Sequence, residues 1–180
     1  MRWLAFAILS LIVLTLQTTV APRIGLNSAR PDLLLIVVVF MSLYAPPSHA
    51  IAAGWILGVC ADLMTIERFG LISFSCGLSS WIISSIREYL FRYRVVTQAV
   101  VTLTACLFVR TGWMLYYHNL YEPSGPLPRD WLINGLVASA YTAVLAPFAF
   151  GLLLRMARPL GIARPRYGYA SMTSRAWTDV

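Results

Sequence analysis

Six stretches of this chain are apolar, nearly free of charge, and close to or beyond the length of a bilayer crossing. The first, residues 3–20, runs 18 residues without a charged side chain. A helix needs about 20 such residues, at 1.5 Å each, to cross the hydrocarbon core of a membrane. In lipid every backbone N–H and C=O must be satisfied within the protein, which a continuous apolar run achieves as a helix. The spans fall at about 3–20, 32–45, 49–66, 69–86, 95–117 and 132–154. The second is short and coupled to the third by YAPPSHA (44–50), where two prolines break the helix. A five-span version would make one of those two a re-entrant segment.

Composition agrees with the runs. Apolar residues make up 59% of the chain and charged residues 12%, with a mean hydropathy of +0.72, which leaves no room for a soluble domain. The expected fold class is an all-α integral membrane protein, a bundle of about six transmembrane helices. The expected organisation is a membrane domain over 1–154 and a flexible, basic cytoplasmic tail over 155–180. Arg2 and the small pair Val20-Ala21 imitate a signal peptide. Pro22 after that pair and the length of the apolar run favour a retained first helix.

All fourteen basic residues are arginine, giving a net charge of +7. They cluster between the apolar runs without interleaved aromatics, so nucleic acid is not an expected partner. Their work is to set topology and to meet anionic lipid at the tail. With the N-terminus in the cytoplasm, Arg2, Arg87, Arg92, Arg94, Arg155, Arg158, Arg164, Arg166 and Arg175 lie inside. Arg23, Arg30, Arg68 and Arg129 lie outside, and Arg110 falls within a span. Nine against four follows the positive-inside rule, with both termini cytoplasmic. The outer loop carries Tyr116, Tyr117, Tyr121 and Trp131, whose rings suit the headgroup layer.

Asp62 interrupts the glycine-studded run GWILGVCADLMTIERFG (54–70). Residues four apart share a helix face, so Ala50, Gly54, Gly58 and Asp62 form one stripe. Small residues admit a close neighbour, and close packing drives helix association in lipid. The next span offers Ser73, Gly77, Ser80 and Ser84. The two helices are therefore expected to pack as a tight antiparallel pair about the ERFG turn (67–70). Asp62 and Arg110 lie at similar depths, about 6 and 10 Å from the outer ends. That predicts an ion pair between them; the alternative is that each snorkels separately to the headgroups. Asp32, after Pro31 in ARPDLLL (29–35), reads as a helix start. Gln17 and Asn134 are candidates for modest interhelical hydrogen bonds, and Pro147 for a bend in the last helix.

Catalysis is not expected. His49 and His118 fall in interfacial loops, away from any intramembrane serine. There is no HExxH sequence and no phosphate-binding glycine loop, and Asp62 is the one aspartate clearly inside a span. Cys60, Cys76 and Cys106 sit in apolar runs without metal-ligand spacing and read as small hydrophobes. No cofactor or metal is implied.

Four segments carry a family resemblance: LQTTVAP, ARPDLLLIVVVF, GWILGVCADLMTIERFG and AYTAVLAPFAFGLLLRM. Together they resemble the bacterial rod shape-determining MreD family over nearly all of residues 1 to 158. Gly54, Gly58, Asp62 and Gly70 match its glycine-rich helix ending in an aspartate, followed by a turn and a further glycine. Pro31 and Asp32 match its Pro-Asp pair, and Pro147 and Arg155 its terminal helix. Tyr141 and Thr142 stand where the family has a more amide-rich opening.

The resemblance implies a non-enzymatic component of the cell-elongation machinery in the bacterial cytoplasmic membrane. It implies association with MreC, a single-span protein with a large external domain. Through MreC it implies links to MreB filaments and to the RodA–transpeptidase pair that builds lateral peptidoglycan. The partner surface would involve the outer helix ends near Pro31, Asp32, Asp62 and Gly70. The competing resemblance is to substrate-binding components of energy-coupling-factor vitamin transporters, which have about six spans and a related fold. Those dock their coupling subunit and its ATPases through a small-xxx-small motif on the first helix. Here Ala5 is followed by Leu9 and Ala7 by Leu11, a poor match.

Overall fold

A computed structural model describes residues 3–25, 30–64, 70–87, 95–121 and 129–156. Six helices follow in order: α1 Trp3–Thr19, α2 Leu33–Tyr44, α3 Pro47–Met64, α4 Leu71–Ile86, α5 Val95–Tyr121 and α6 Arg129–Met156. Three of them, α3, α5 and α6, are long and apolar enough to cross a membrane; α1, α2 and α4 are shorter apolar helices. The turn residues 67–69, the loop 122–128 and the tail from 157 lie outside the described residues.

The shortest helix is the hub. Every residue of α2 from Leu34 to Tyr44 is buried, and all five other helices pack on it. At 12 residues it is about 18 Å long, short of a bilayer core. It ends where the sequence dictates: Ala45, ahead of Pro46, is extended at ψ 161°, as the pre-proline position favours. Pro47 then opens α3 at a position where its missing N–H costs nothing. The Arg87 guanidinium donates to the Ala45 carbonyl, a cation at the negative end of the α2 dipole.

Around α2, Phe40, Tyr44 and Phe150 pack ring to ring with centroids 5.0–6.3 Å apart. Gln98 on α5 donates to the Tyr44 hydroxyl at 3.0 Å. α1 lies at the periphery. It buries Phe6, Leu9, Ser10 and Val13 on one face and exposes Leu4, Ile8, Leu11 and Ile12 on the other. Exposed bulky apolar side chains recur on every helix but α2, the pattern of a bundle whose solvent is lipid.

α5 and α6 outrun the apolar spans at 95–117 and 132–154 by about one turn at their facing ends. Aromatic and polar residues extend the helices past the point where hydropathy falls. Pro147 lies inside α6 and removes one rung of its hydrogen-bond ladder.

Candidate functional site

The polar chemistry of the bundle collects at the end that carries the α3–α4 turn, and it begins with Asp62. This side chain is only 3% exposed. Its Oδ2 accepts from the backbone N–H of Gly70 at 3.1 Å and of Ser73 at 2.9 Å, and its Oδ1 from Ile72 at 3.2 Å. Those donors belong to the first turn of α4, whose early N–H groups have no intrahelical acceptor. Gly70 is the N-cap residue and has no side chain to offer. The carboxylate at the end of α3 caps α4 in its place, at the positive end of the α4 dipole. Gly70 itself sits at φ 109°, a conformation that side-chain-bearing residues rarely adopt.

The expected Asp62–Arg110 ion pair is not formed. Arg110 directs its Nη2 to the Arg30 carbonyl at 3.3 Å, and no ion pair joins it to Asp62. The physical reason is proximity along the chain. The α4 N-terminus presents three donors to Asp62 a few residues downstream, whereas Arg110 meets the carbonyl of Arg30, just ahead of α2.

Below the cap, α3 and α4 lie in van der Waals contact through the glycine and serine stripe. A Cβ at Gly54 would stand 2.6 Å from Ser80 Cβ, one at Gly58 2.5 Å from Ser73 Cα, and one at Gly77 2.5 Å from the Trp55 ring. Ser80 Oγ donates to the Ala50 carbonyl at 2.8 Å, and Ser73 Oγ lies 3.4 Å from the Trp55 carbonyl. Ser42 on the hub helix joins them, 2.8 Å from Ser80 Oγ. The stripe thus stitches three helices together. Its hydroxyls satisfy backbone oxygens where no water is available.

A second polar cluster surrounds the start of α2, whose first turn also needs partners. Asp32 is the N-cap and accepts from Leu35 N at 3.1 Å, with Pro31 just ahead of it. Gln17 on α1 accepts from Leu33 N at 2.8 Å and donates toward the Pro31 carbonyl at 3.4 Å. Thr142 on α6 accepts from Asp32 N at 3.1 Å while donating to Ala138 in its own helix. With Arg110 on the Arg30 carbonyl, side chains from α1, α5 and α6 converge on four consecutive residues, 30–33. Tyr141 adds a bond from its hydroxyl to the Ile24 carbonyl at 3.1 Å.

Sequence reading did not anticipate this convergence. Gln17, Thr142 and Arg110 are far apart in the chain, and only the path of residues 30–32 brings them together. The available signal was the isolated polar residue in each apolar run. Asn134, by contrast, is exposed on α6.

Both clusters are occupied with helix starts. Among the described residues no group of three His, Cys, Asp or Glu stands together to hold a metal ion, and the three cysteines are free. The arrangement fixes helix positions.

No curated protein and no solved structure matches the chain significantly. A family model does, that of the rod shape-determining protein MreD, over residues 1–156. That match takes in the glycine stripe, the Asp62 cap and the α2 start, and by it this chain belongs to the MreD family.

Proposed function

We propose that the protein is a non-enzymatic component of the bacterial cell-elongation complex, set in the cytoplasmic membrane. All six helices cross or enter the bilayer, and both termini are cytoplasmic. It holds an MreC-like single-span partner, and through that partner it is linked to MreB filaments and the RodA–transpeptidase wall synthases. The basic tail lies on anionic lipid. The observation that carries this reading is the family match over residues 1–156.

The geometry supports it in a specific way. Asp62, Asp32, Gln17 and Thr142 are turned inward onto helix starts, so the bundle offers partners a preset shape and largely apolar flanks. Asp62 and Asp32 shape the partner-facing end near Gly70 from within. The vitamin-transporter reading gains nothing from α1, whose outward face is built of Leu4, Ile8, Leu11 and Ile12 where that docking mode requires small residues.

The test is depletion of the protein in the bacterium that carries it. Cells are expected to widen and round within a few generations, and a plasmid copy is expected to restore them. Unchanged shape with a new vitamin requirement would instead select the transporter reading.

A further inference from the structure

α5 and α6 are the longest helices, and along the halves nearer their connecting loop a cleft of about 450 Å³ opens between them. Its wall includes Leu107, Arg110, Trp113, Trp131, Asn134 and Gly135. Most of this lining is apolar, which makes the cation notable. A guanidinium carries five N–H donors in a planar fork and is always charged. Arg110 has a single bond among the described residues, the 3.3 Å contact to the Arg30 carbonyl. Asn134 also lines the cleft, and its side chain makes no hydrogen bond within the described residues. In a lipid-facing cleft such unmet donors and an unpaired charge are costly.

Depth narrows what can meet them. Trp113 stacks on Tyr117 with centroids 4.9 Å apart, and Trp131 lies 6.5 Å from Trp113 and 6.2 Å from Tyr117. Clustered Trp and Tyr rings mark the headgroup layer. Arg110 stands one helical turn from Trp113 on the side away from the loop, within side-chain reach of the plane where lipid phosphates lie.

The geometry points to a binding site for the phosphate of an anionic phospholipid. The Arg110 fork and the Asn134 amide take the phosphate oxygens, Trp113 and Trp131 flank the headgroup, and the apolar wall holds the first carbons of an acyl chain. A planar guanidinium suits phosphate in two-point contact. An anionic lipid is favoured over a zwitterionic one because it brings no ammonium of its own to compete for the phosphate.

The test is native mass spectrometry of the delipidated full chain, titrated with phosphatidylglycerol, phosphatidylcholine or inorganic phosphate. Loss of one charge-assisted contact set corresponds to a drop in affinity of roughly tenfold or more. Wild type is expected to retain phosphatidylglycerol over phosphatidylcholine, and Arg110→Gln to lose that retention by about this factor. Gly135→Phe supplies an independent variant. Gly135 lines the cleft, and a Cβ there meets nothing within 4 Å, so a side chain can be started at this position without a clash at its base. It is expected to lower retention with Arg110 intact.

Equal retention by wild type and Arg110→Gln would overturn the site as annular lipid only. Displacement of the lipid by millimolar inorganic phosphate would overturn it in favour of a free-anion site. Full retention by Gly135→Phe would move the lipid out of this cleft.

Discussion

Replacing Asp62 with alanine is expected to destabilise the protein by about 3–5 kcal/mol, the range for removing one partner from a buried charged contact. Three backbone N–H groups lose their acceptor at once, and each unsatisfied buried donor costs about 1–3 kcal/mol. Asp62→Asn keeps one acceptor oxygen but turns an NH2 group toward other donors, so it should fall between wild type and alanine. Asp130→Ala is the control. Asp130 also lies in the first turn of a helix but is exposed, and its loss should cost less than about 1 kcal/mol. Unfolding in mixed micelles against SDS fraction measures all three. Because Asp62 and Arg110 have separate partners, Asp62→Ala and Arg110→Leu should add in the double mutant. A large positive coupling would restore the ion pair that the structure lacks.

The second large effect is at Gly58. A Cβ there would stand 2.5 Å from the Ser73 Cα and 3.2 Å from its carbonyl oxygen. Backbone cannot rotate aside as a side chain can, so alanine pushes α3 and α4 apart. Overpacking of this kind costs about 1–3 kcal/mol, and the better helix propensity of alanine offsets no more than about 1. Gly54→Ala should cost slightly less, because its nearest backbone contact, the Cys76 carbonyl, stands at 3.2 Å, while the Ser80 Cβ at 2.6 Å yields only with its helix. That side chain is held by the Ala50 carbonyl and the Ser42 hydroxyl and is not free to turn. At Gly77 the three atoms nearest an added Cβ all belong to the Trp55 ring, and Trp55 is 42% exposed and has room to swing outward. Gly151→Ala meets nothing and should be neutral or mildly stabilising. The order Gly58, Gly54, Gly77, Gly151 in the same SDS assay is the prediction. Gly58→Ala as benign as Gly151→Ala would show that the helices are not in contact there.

How far these features are legible in the sequence depends on the length scale that encodes them. The six helices follow from apolar runs, and their ends lie within a few residues of the expected spans because prolines and polar clusters mark them. The small-residue stripe is readable because four-residue spacing maps directly onto one helix face. The partner of Asp62 is not readable in the same way. Counting depth from helix ends places Asp62 and Arg110 near each other, but it does not show that the α4 N-terminus returns its free N–H groups to the end of α3. Nor does hydropathy reveal α2 as the hub. A helix apolar on every face can be sheathed by protein or by lipid. The sheath of α2 is protein, and its end partners, Gln17, Thr142 and Arg110 at one end and Arg87 and Gln98 at the other, come from α1, α5, α6 and the end of α4. Those partners come from distant parts of the chain and reach α2 only once the irregular segment at residues 30–32 has folded inward.

This division bears on function. The features local in sequence build a rigid helical hairpin, and the non-local ones fix a buried hub against α1, α5 and α6. A bundle held in this way is suited to presenting a constant surface within the membrane, as a scaffold of the wall-building complex would need.

The measurement that tests that role most directly is native co-purification of the full chain in mild detergent, with partners identified by mass spectrometry. The account predicts recovery of an MreC-like single-span protein with a large external domain, together with wall-synthesis enzymes. Recovery of a transporter coupling subunit and its ATPases, with no such single-span protein, would contradict it.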